Sequence, residues 1–481
     1  MTSIPGPQSS RLIQTLNWRY RPTEFLSDCA ARYGEIFRLR TYMDGDLVMV
    51  VHPDAIQQIF ACGYEQVHQP KDEQFAALLG RSSLFVLEGA AHQQLRRAVL
   101  PILGPGPMKA TAALIQPVVD EEIESWPLGA RFGLQAALQS LLLKTTLRLL
   151  FGAGAESTRA CATALAPIFA ETYEHFASPL MLVPIGWQSR SGRGPWVRLL
   201  ELAERARSIM RSEIARRRAA GEAGRDGADV LSQLLGAQPP CAHAPAVLSG
   251  LGDAEICDTL LALFMAGHDT TANALSWTFV HLLQEPSLWA RLVAELAGAR
   301  GRGGVDWERV LALPLLDATV REVLRLHPIF PATFRDLRQP LRLLGHELPT
   351  GTRVVPCIYL AQRRPDTVPQ PERFLPERFL PEREREPPTP WIPFGGGVRR
   401  CVGSSAVLVQ MKAVLATILA RARLRPGAGP GPRVRAVRAF ISLAPSGGVP
   451  AVLVSRAGRA GAPDQRSRAA SSANHLRISS T

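Results

Sequence analysis

The sequence predicts a mainly helical protein with small β-sheets, an α+β chain, and three observations predict it. First, Ala113–Ile123, Leu134–Phe151 and Arg198–Arg218 repeat their apolar residues with helical period. Second, Asp253–Leu283 is apolar and free of proline; as a helix it spans roughly 45 Å, enough to cross a whole domain. Third, Ile36–Arg40 and Leu47–Val51 are short strand-like runs around a turn at Asp44-Gly45.

Hydrophobic residues make up 46% of the 481 and charged ones 20%, which suits an ordinary globular protein with a sizeable core. Residues 1–455 read as one domain. Residues 456–481 are polar, with five arginines and little apolar content, and are expected to form a disordered basic tail. The net charge of +13 comes from arginine, since lysine occurs only at Lys71, Lys109, Lys144 and Lys412. Such a surface attracts nucleic acid, anionic membrane or an acidic protein. No zinc-finger spacing or aromatic-interleaved basic motif supports nucleic acid.

The seven cysteines (Cys29, Cys62, Cys161, Cys241, Cys257, Cys357, Cys401) are scattered, without a CxxC pair. That argues for a reducing, cytoplasmic setting and against a disulfide framework or a zinc site. Met1–Pro7 lacks the basic-then-apolar pattern of a signal peptide. No uninterrupted apolar run reaches about 18 residues, so no transmembrane anchor is expected.

In chain order, Phe25–Tyr33 is an amphipathic helix ended by Gly34 and followed by the strand pair, and Pro53–Phe60 returns to helix. Residues 62–87 read as an irregular loop over a pocket. In Glu88–Arg97, His92 and Arg96 stand four apart and share one helical face. They are either two solvated surface groups or donors to a carboxylate pair. Residues 104–250 read as successive helices, with a Pro/Gly-rich connection at Pro179–Pro195 and loops at 219–228 and 236–249. Residues 341–360 read as strands around the turn Pro349-Thr350-Gly351. Phe440–Leu443 and Val449–Val454 read as a hairpin around Pro445–Gly448.

The chemistry concentrates in Phe394-Gly395-Gly396-Gly397-Val398-Arg399-Arg400-Cys401-Val402-Gly403. The glycines permit a tight turn and close approach to a flat ligand. Cys401 then stands at the entrance of a helix, where free N–H groups and the helix dipole favour a thiolate. Gly403 keeps bulk away from the sulfur, and Arg399 is placed to pair with an anion. One thiolate held in this way suits an axial ligand to haem iron.

Within the long helix stands Ala266-Gly267-His268-Asp269-Thr270-Thr271. Gly267 weakens the helix, and Thr270 can bond back to a carbonyl and open it. Thr270 offers a hydroxyl and Asp269 a carboxylate able to pass protons. In Arg321–Pro328, Glu322 and Arg325 stand three apart on a helix ended by Pro328. Downstream, Pro371-Glu372-Arg373-Phe374, Pro376-Glu377-Arg378-Phe379 and Pro381-Glu382-Arg383 repeat every five residues.

These stretches, in this order, resemble the signature motifs of the cytochrome P450 family over roughly residues 5–455. The resemblance implies a single-domain P450-like fold around a long central helix. It implies haem b with Cys401 as axial ligand, dioxygen as co-substrate, and Phe394, Arg399 and Gly403 around the cofactor. His92 and Arg96 then match the propionate-binding helix. Arg335 is a further propionate candidate, or else a partner of Asp336. Thr270 and Asp269 match the oxygen-activation motif. His268 falls where that motif is variable and is not taken as a ligand. Glu322 and Arg325 match a buried network that fixes the loop before the cysteine. Its third member is Arg378, because only Phe374–Phe379 has the longer form of that motif; Arg373 is the alternative.

The implied activity is hydroxylation of a lipophilic small molecule, with electrons from a separate ferredoxin and ferredoxin reductase, by a monomer. Residues 68–87, 171–196, 263–271, 329–334 and 444–448 would line the pocket. A haem-thiolate enzyme that works without external electrons, or a haem-binding carrier or sensor, stays open as an alternative.

Overall fold

The computed structural model describes residues 4–42, 44–70, 73–152, 156–182, 188, 190–221, 227, 229–236, 251–301, 304–383, 390–427, 434–439 and 442–458. The loop expected at 236–249 lies almost wholly outside them, as does most of the expected tail.

The chain opens with α1 (Arg11–Tyr20) and α2 (Pro22–Tyr33). Proline starts α2, and Gly34 ends it with φ of 84°. The hairpin β1 (Ile36–Thr41) and β2 (Gly45–Val50) follows, with Ile36 opposite Val50 and Thr41 opposite Gly45. Next come α3 (Pro53–Ala61), β3 (Val67–His68) and α4 (Glu73–Leu79). The segment 62–87 is therefore not the irregular loop expected. Its strand and helix are too short for periodicity to reveal them.

Then come α5 (Gly89–Ile102), α6 (Pro105–Ser125), α7 (Leu134–Phe151), α8 (Glu156–Ala177) and α9 (Pro195–Ala219). The short β4 (Arg131–Gly133) precedes α7, and α10 (Val230–Gly236) follows α9. Pro179–Leu182, inside the expected Pro/Gly-rich connection, forms a 3-10 turn.

The central helix α11 (Asp253–Leu282) runs 30 residues without a break at Gly267. The expected back-bond is present there, with Thr270 donating to the Ala266 carbonyl. Leu260, Phe264, Leu275 and Phe279 of α11 are fully buried in one core with Leu138 and Leu142 of α7. Each such side chain contributes roughly 1.5–3 kcal/mol on burial, more than the cost of one helical glycine.

Beyond α11 stand α12 (Pro286–Ala297), α13 (Trp307–Leu311) and α14 (Pro314–Leu326), with the small pair β5 (Arg300–Gly301) and β6 (Gly304–Val305). The strands β7 (Arg335–Leu337), β8 (Leu341–Leu343), β9 (His346–Leu348) and β10 (Arg353–Pro356) come next. Residues 358–360, expected as strand, belong to the short helix α15 (Ile358–Ala361). The principal sheet has the order β1-β2-β10-β7-β3.

The cysteine loop leads into α16 (Ser404–Arg421). By length and composition alone this helix could cross a membrane, but polar residues interrupt it and 61% of it is buried in the protein. It packs against α6 and α11 as a core helix.

The last strands are β11 (Ala422–Pro426), β12 (Ala436–Ala439), β13 (Ser442–Pro445) and β14 (Pro450–Arg456). Residues 440 and 441 lie outside the described residues, and among those described the expected hairpin between 442–443 and 449–454 does not form. Instead β13 pairs with β12, and β14 pairs with β11 and β4. Gly447, Gly448 and Val449 all have positive φ, which carries the chain out of one sheet and into the other.

Candidate functional site

The cysteine loop is shaped by contact with α3. Gly395 and Gly397 have φ of 66° and 67°. A Cβ on Gly396 would collide with the Phe60 ring, and one on Gly397 with the Phe60 backbone. The Cys401 N–H donates to the Phe394 carbonyl at 3.0 Å and closes the loop. Cys401 is the exposed cysteine among the described ones; Cys29, Cys62, Cys161, Cys257 and Cys357 are buried. Yet protein surrounds it deeply enough that burial pushes its thiol up, opposed by the Gly403 backbone and by Arg96 and Arg400. Cys401 thus remains accessible at a position where the surrounding protein still disfavours its charged form. Gly267 of α11 fronts open space, since a Cβ there would meet nothing within 4 Å.

Four cationic or basic side chains gather near this loop. Arg96 donates to the Arg400 carbonyl at 2.6 Å. Arg335 donates to the carbonyls of Phe334 and Gly396. Arg399 turns inward, to the carbonyls of Leu84 and Leu87 and to Glu88 at 2.7 Å. His92 Nδ1 meets the Tyr64 hydroxyl at 2.6 Å. Burial pushes His92 down to about 3, helped by Arg399, Arg96 and Arg335. Burial likewise pushes Arg335 down to about 10, with Arg399 adding to it.

Among the described residues, Glu88 is the carboxylate ion-paired with this group, and it also pairs with Arg338. The cluster is short of negative charge, and a group bearing two carboxylates fits it. Arg335 does not pair with Asp336, whose carboxylate is held by Arg353 at 2.7 and 2.9 Å. Sequence reasoning missed Tyr64, which lies in the segment read as a loop, and took Glu88 only as the start of a helix.

On α11, the Thr270 hydroxyl donates to the Ala266 carbonyl at 2.5 Å. The Asp269 carboxylate accepts from Gln139 at 3.3 Å, and from Asn273 and Ser442 at 2.9 Å each. His268 turns toward α7 and α8. Its Nε2 meets the Gln139 carbonyl at 2.8 Å, and its ring lies 4.5 Å from Tyr173 and 5.7 Å from Phe264.

Glu322 and Arg325 have no solvent exposure and form two hydrogen bonds of 2.8 and 2.9 Å. Arg378 completes the group at 3.0 Å from Glu322. The Arg373 guanidinium instead bonds Gln370, while its carbonyl accepts from Arg325 and Arg378. The Leu375 N–H also donates to Glu322. Gln362, unremarked in the sequence, carries the network to the cysteine loop. Its carbonyl accepts from Arg325, and its side chain accepts the Ile392 N–H at 2.7 Å. Ile392 in turn accepts the Gly395 N–H at 3.0 Å.

Comparison with known proteins gives these features a common setting. A family model described as cytochrome P450 matches residues 4–447. A Mycobacterium tuberculosis H37Rv protein named "Putative cytochrome P450 135B1" is 30% identical over 424 residues, covering 87% of this chain and 85% of the relative. Its 135A1 counterpart is 29% identical over 437 residues, covering 90% and 91%. Among solved structures, retinoic acid-bound cyanobacterial CYP120A1 aligns with TM-score 0.77 and 25% identity, covering 94% of this chain and 100% of that one. The cytochrome P450DA heme domain aligns with TM-score 0.79 at 19% identity, covering 94% and 98%. With family, relatives and architecture in agreement, the chain belongs to the cytochrome P450 family, whose members bind haem b through a cysteine thiolate and use dioxygen.

Proposed function

We propose that this protein is a haem-thiolate monooxygenase that hydroxylates a lipophilic small molecule with electrons from a separate redox protein. The observation that carries the reading is the exposed Cys401, closed into the glycine loop by its bond to the Phe394 carbonyl and set near Arg96, Arg335, Arg399 and His92, a cluster short of counter-charge. Cys401 would ligate the iron. Arg96, Arg335, Arg399 and His92 would hold the two propionates, with Tyr64 orienting the His92 ring. When bound, the haem supplies the cleavage of dioxygen and the insertion of one oxygen atom. The protein's own contributions are orientation, exclusion of water and delivery of protons through Asp269 and Thr270.

Apolar side chains support a lipophilic substrate. Leu78, Phe169, Leu199, Leu261 and Met265 converge where α4, α8, α9 and α11 meet, leaving a void no larger than about one water between them. The retinoic acid in the cyanobacterial structure is a ligand of that kind. A screen of retinoid-like, fatty and terpenoid compounds for substrate-induced spin-state shifts would identify the class. The ligand assignment is tested by Cys401→Ser. The variant should lose the carbon-monoxide absorption signature of thiolate-ligated haem, because a neutral hydroxyl is a poor donor to iron. A surviving signature would refute the assignment.

A further inference from the structure

The Asp269 carboxylate is held in an unusual way for a charged group. Among the described residues it makes no ion pair; its three partners are the neutral donors Gln139, Asn273 and Ser442. Two of them share one oxygen, Oδ2, and touch each other, since the Asn273 amide also donates to Ser442 Oγ at 3.2 Å. Asn273 is itself oriented by Gln135, whose amide donates to its Oδ1. Ser442 comes from β13, 173 residues away in sequence, and is buried with 2% exposure.

The strand bearing Ser442 is fixed on both sides. The Leu443 N–H donates to the Ile329 carbonyl at 2.8 Å, and the Leu443 carbonyl accepts from the Trp277 indole at 3.3 Å. Ser442 thus meets α11 from a strand clamped to both α11 and the segment that follows α14. A short hydroxyl donor on a clamped backbone has little freedom, so it fixes the carboxylate it binds.

We propose that Ser442 is a positioning residue for oxygen activation. With Asn273, it holds the Asp269 carboxylate in the one orientation from which a proton can pass toward Thr270. The inference rests on the assignment of Asp269 and Thr270 to proton delivery.

The test is a double-mutant cycle in the haem-loaded protein with a supporting redox system and a compound that gives a spin-state shift. Ser442→Ala should keep haem content and the spin-state shift. Its hydroxylated product per reducing equivalent should fall roughly tenfold or more, the scale of losing one hydrogen bond to a charged group, with a matching rise in hydrogen peroxide. Ser442→Thr keeps the hydroxyl and should recover at least half of the coupling. In an Asp269→Asn background, Ser442→Ala should add nothing, because the group it acts through is gone.

A second readout needs no turnover. The carboxylate stretch found by infrared difference between wild type and Asp269→Asn should shift in Ser442→Ala, with or without haem. Wild-type coupling in Ser442→Ala alongside an uncoupled Asp269→Asn would overturn the inference and leave proton delivery by Asp269 standing. So would a Ser442→Ala loss undiminished in the Asp269→Asn background. Wild-type coupling in Asp269→Asn itself would overturn both.

Discussion

At the scale of single residues, Thr270 and its neighbour Asp269 point to different partners. Thr270 bonds its own helix at Ala266, whereas Asp269 reaches α7 and β13. The Thr270 hydroxyl therefore spends its proton on a backbone carbonyl and keeps its oxygen lone pairs for an incoming donor. Thr270→Val keeps the shape and removes the hydroxyl. We expect haem content and the spin-state shift to persist while hydrogen peroxide rises several-fold at the expense of product. Product and peroxide per reducing equivalent measure this, and unchanged coupling would mean that Thr270 serves packing alone.

Among the elements, α14 and the segment after it decide how the cysteine loop is held. Losing one hydrogen bond to a buried charged group costs about 1.5–3 kcal/mol. Arg378→Ala strips Glu322 of one of its two arginines and should lower thermal stability and haem retention together. Arg373→Ala removes only a surface bond to Gln370 and should leave both within error of wild type. Equal losses in the two variants would contradict the network described here.

The long helices were legible in the sequence because each sustains its apolar period over several turns. Leu134–Phe151 coincides with the periodic run at both ends. Arg378 was legible only through the phenylalanines on either side of its repeat. The pairing of β13 was not legible, because the apolar runs at 442–445 and 450–456 look alike, and only long-range contacts with β12 and β11 assign them to different sheets. The roles of Tyr64, Gln362 and Ser442 were equally hidden. Each is a single polar residue whose partner lies far away in sequence, and no local pattern records such a contact.

For the whole molecule, charge and buried imidazoles set the response to solution conditions. An acidic ferredoxin would be drawn to the basic surface beside the cysteine loop, but not by Arg399, whose side chain is 4% exposed and bonded inward. Arg400 and Arg97 are exposed and would take over that attraction. Electron transfer from a cognate ferredoxin should slow roughly tenfold as salt shortens the screening length. A rate insensitive to salt would rule out electrostatic docking.

The pH response follows from His281 and His327, whose Nε2 atoms lie 2.8 Å apart. Burial pushes His281 down to about 4, with Arg363 adding to it. Burial pushes His327 well below its ordinary range, with His281, Arg363 and Arg325 adding to it. In the unfolded chain both titrate near about 6.5, so the unfolded state binds more protons below that pH. Stability is then full above about 6.5 and declines as pH falls toward about 4. The urea midpoint should drop between about pH 7 and about pH 5 in wild type, and by less in His281→Gln. Parallel curves for the two proteins would refute the assignment.

The five-residue repeat has a consequence for the history of the gene. Near-identical tandem units are prone to slip when copied, gaining or losing whole units in frame. Here the middle unit supplies Arg378 to Glu322, the first supplies Phe374 to a stack on His281 at 4.1 Å, and the third supplies a spare Pro381-Glu382-Arg383. A contraction of one unit after Phe374 brings the spare arginine to the vacated place. Such a contraction would keep an arginine at the position from which Arg378 now reaches Glu322.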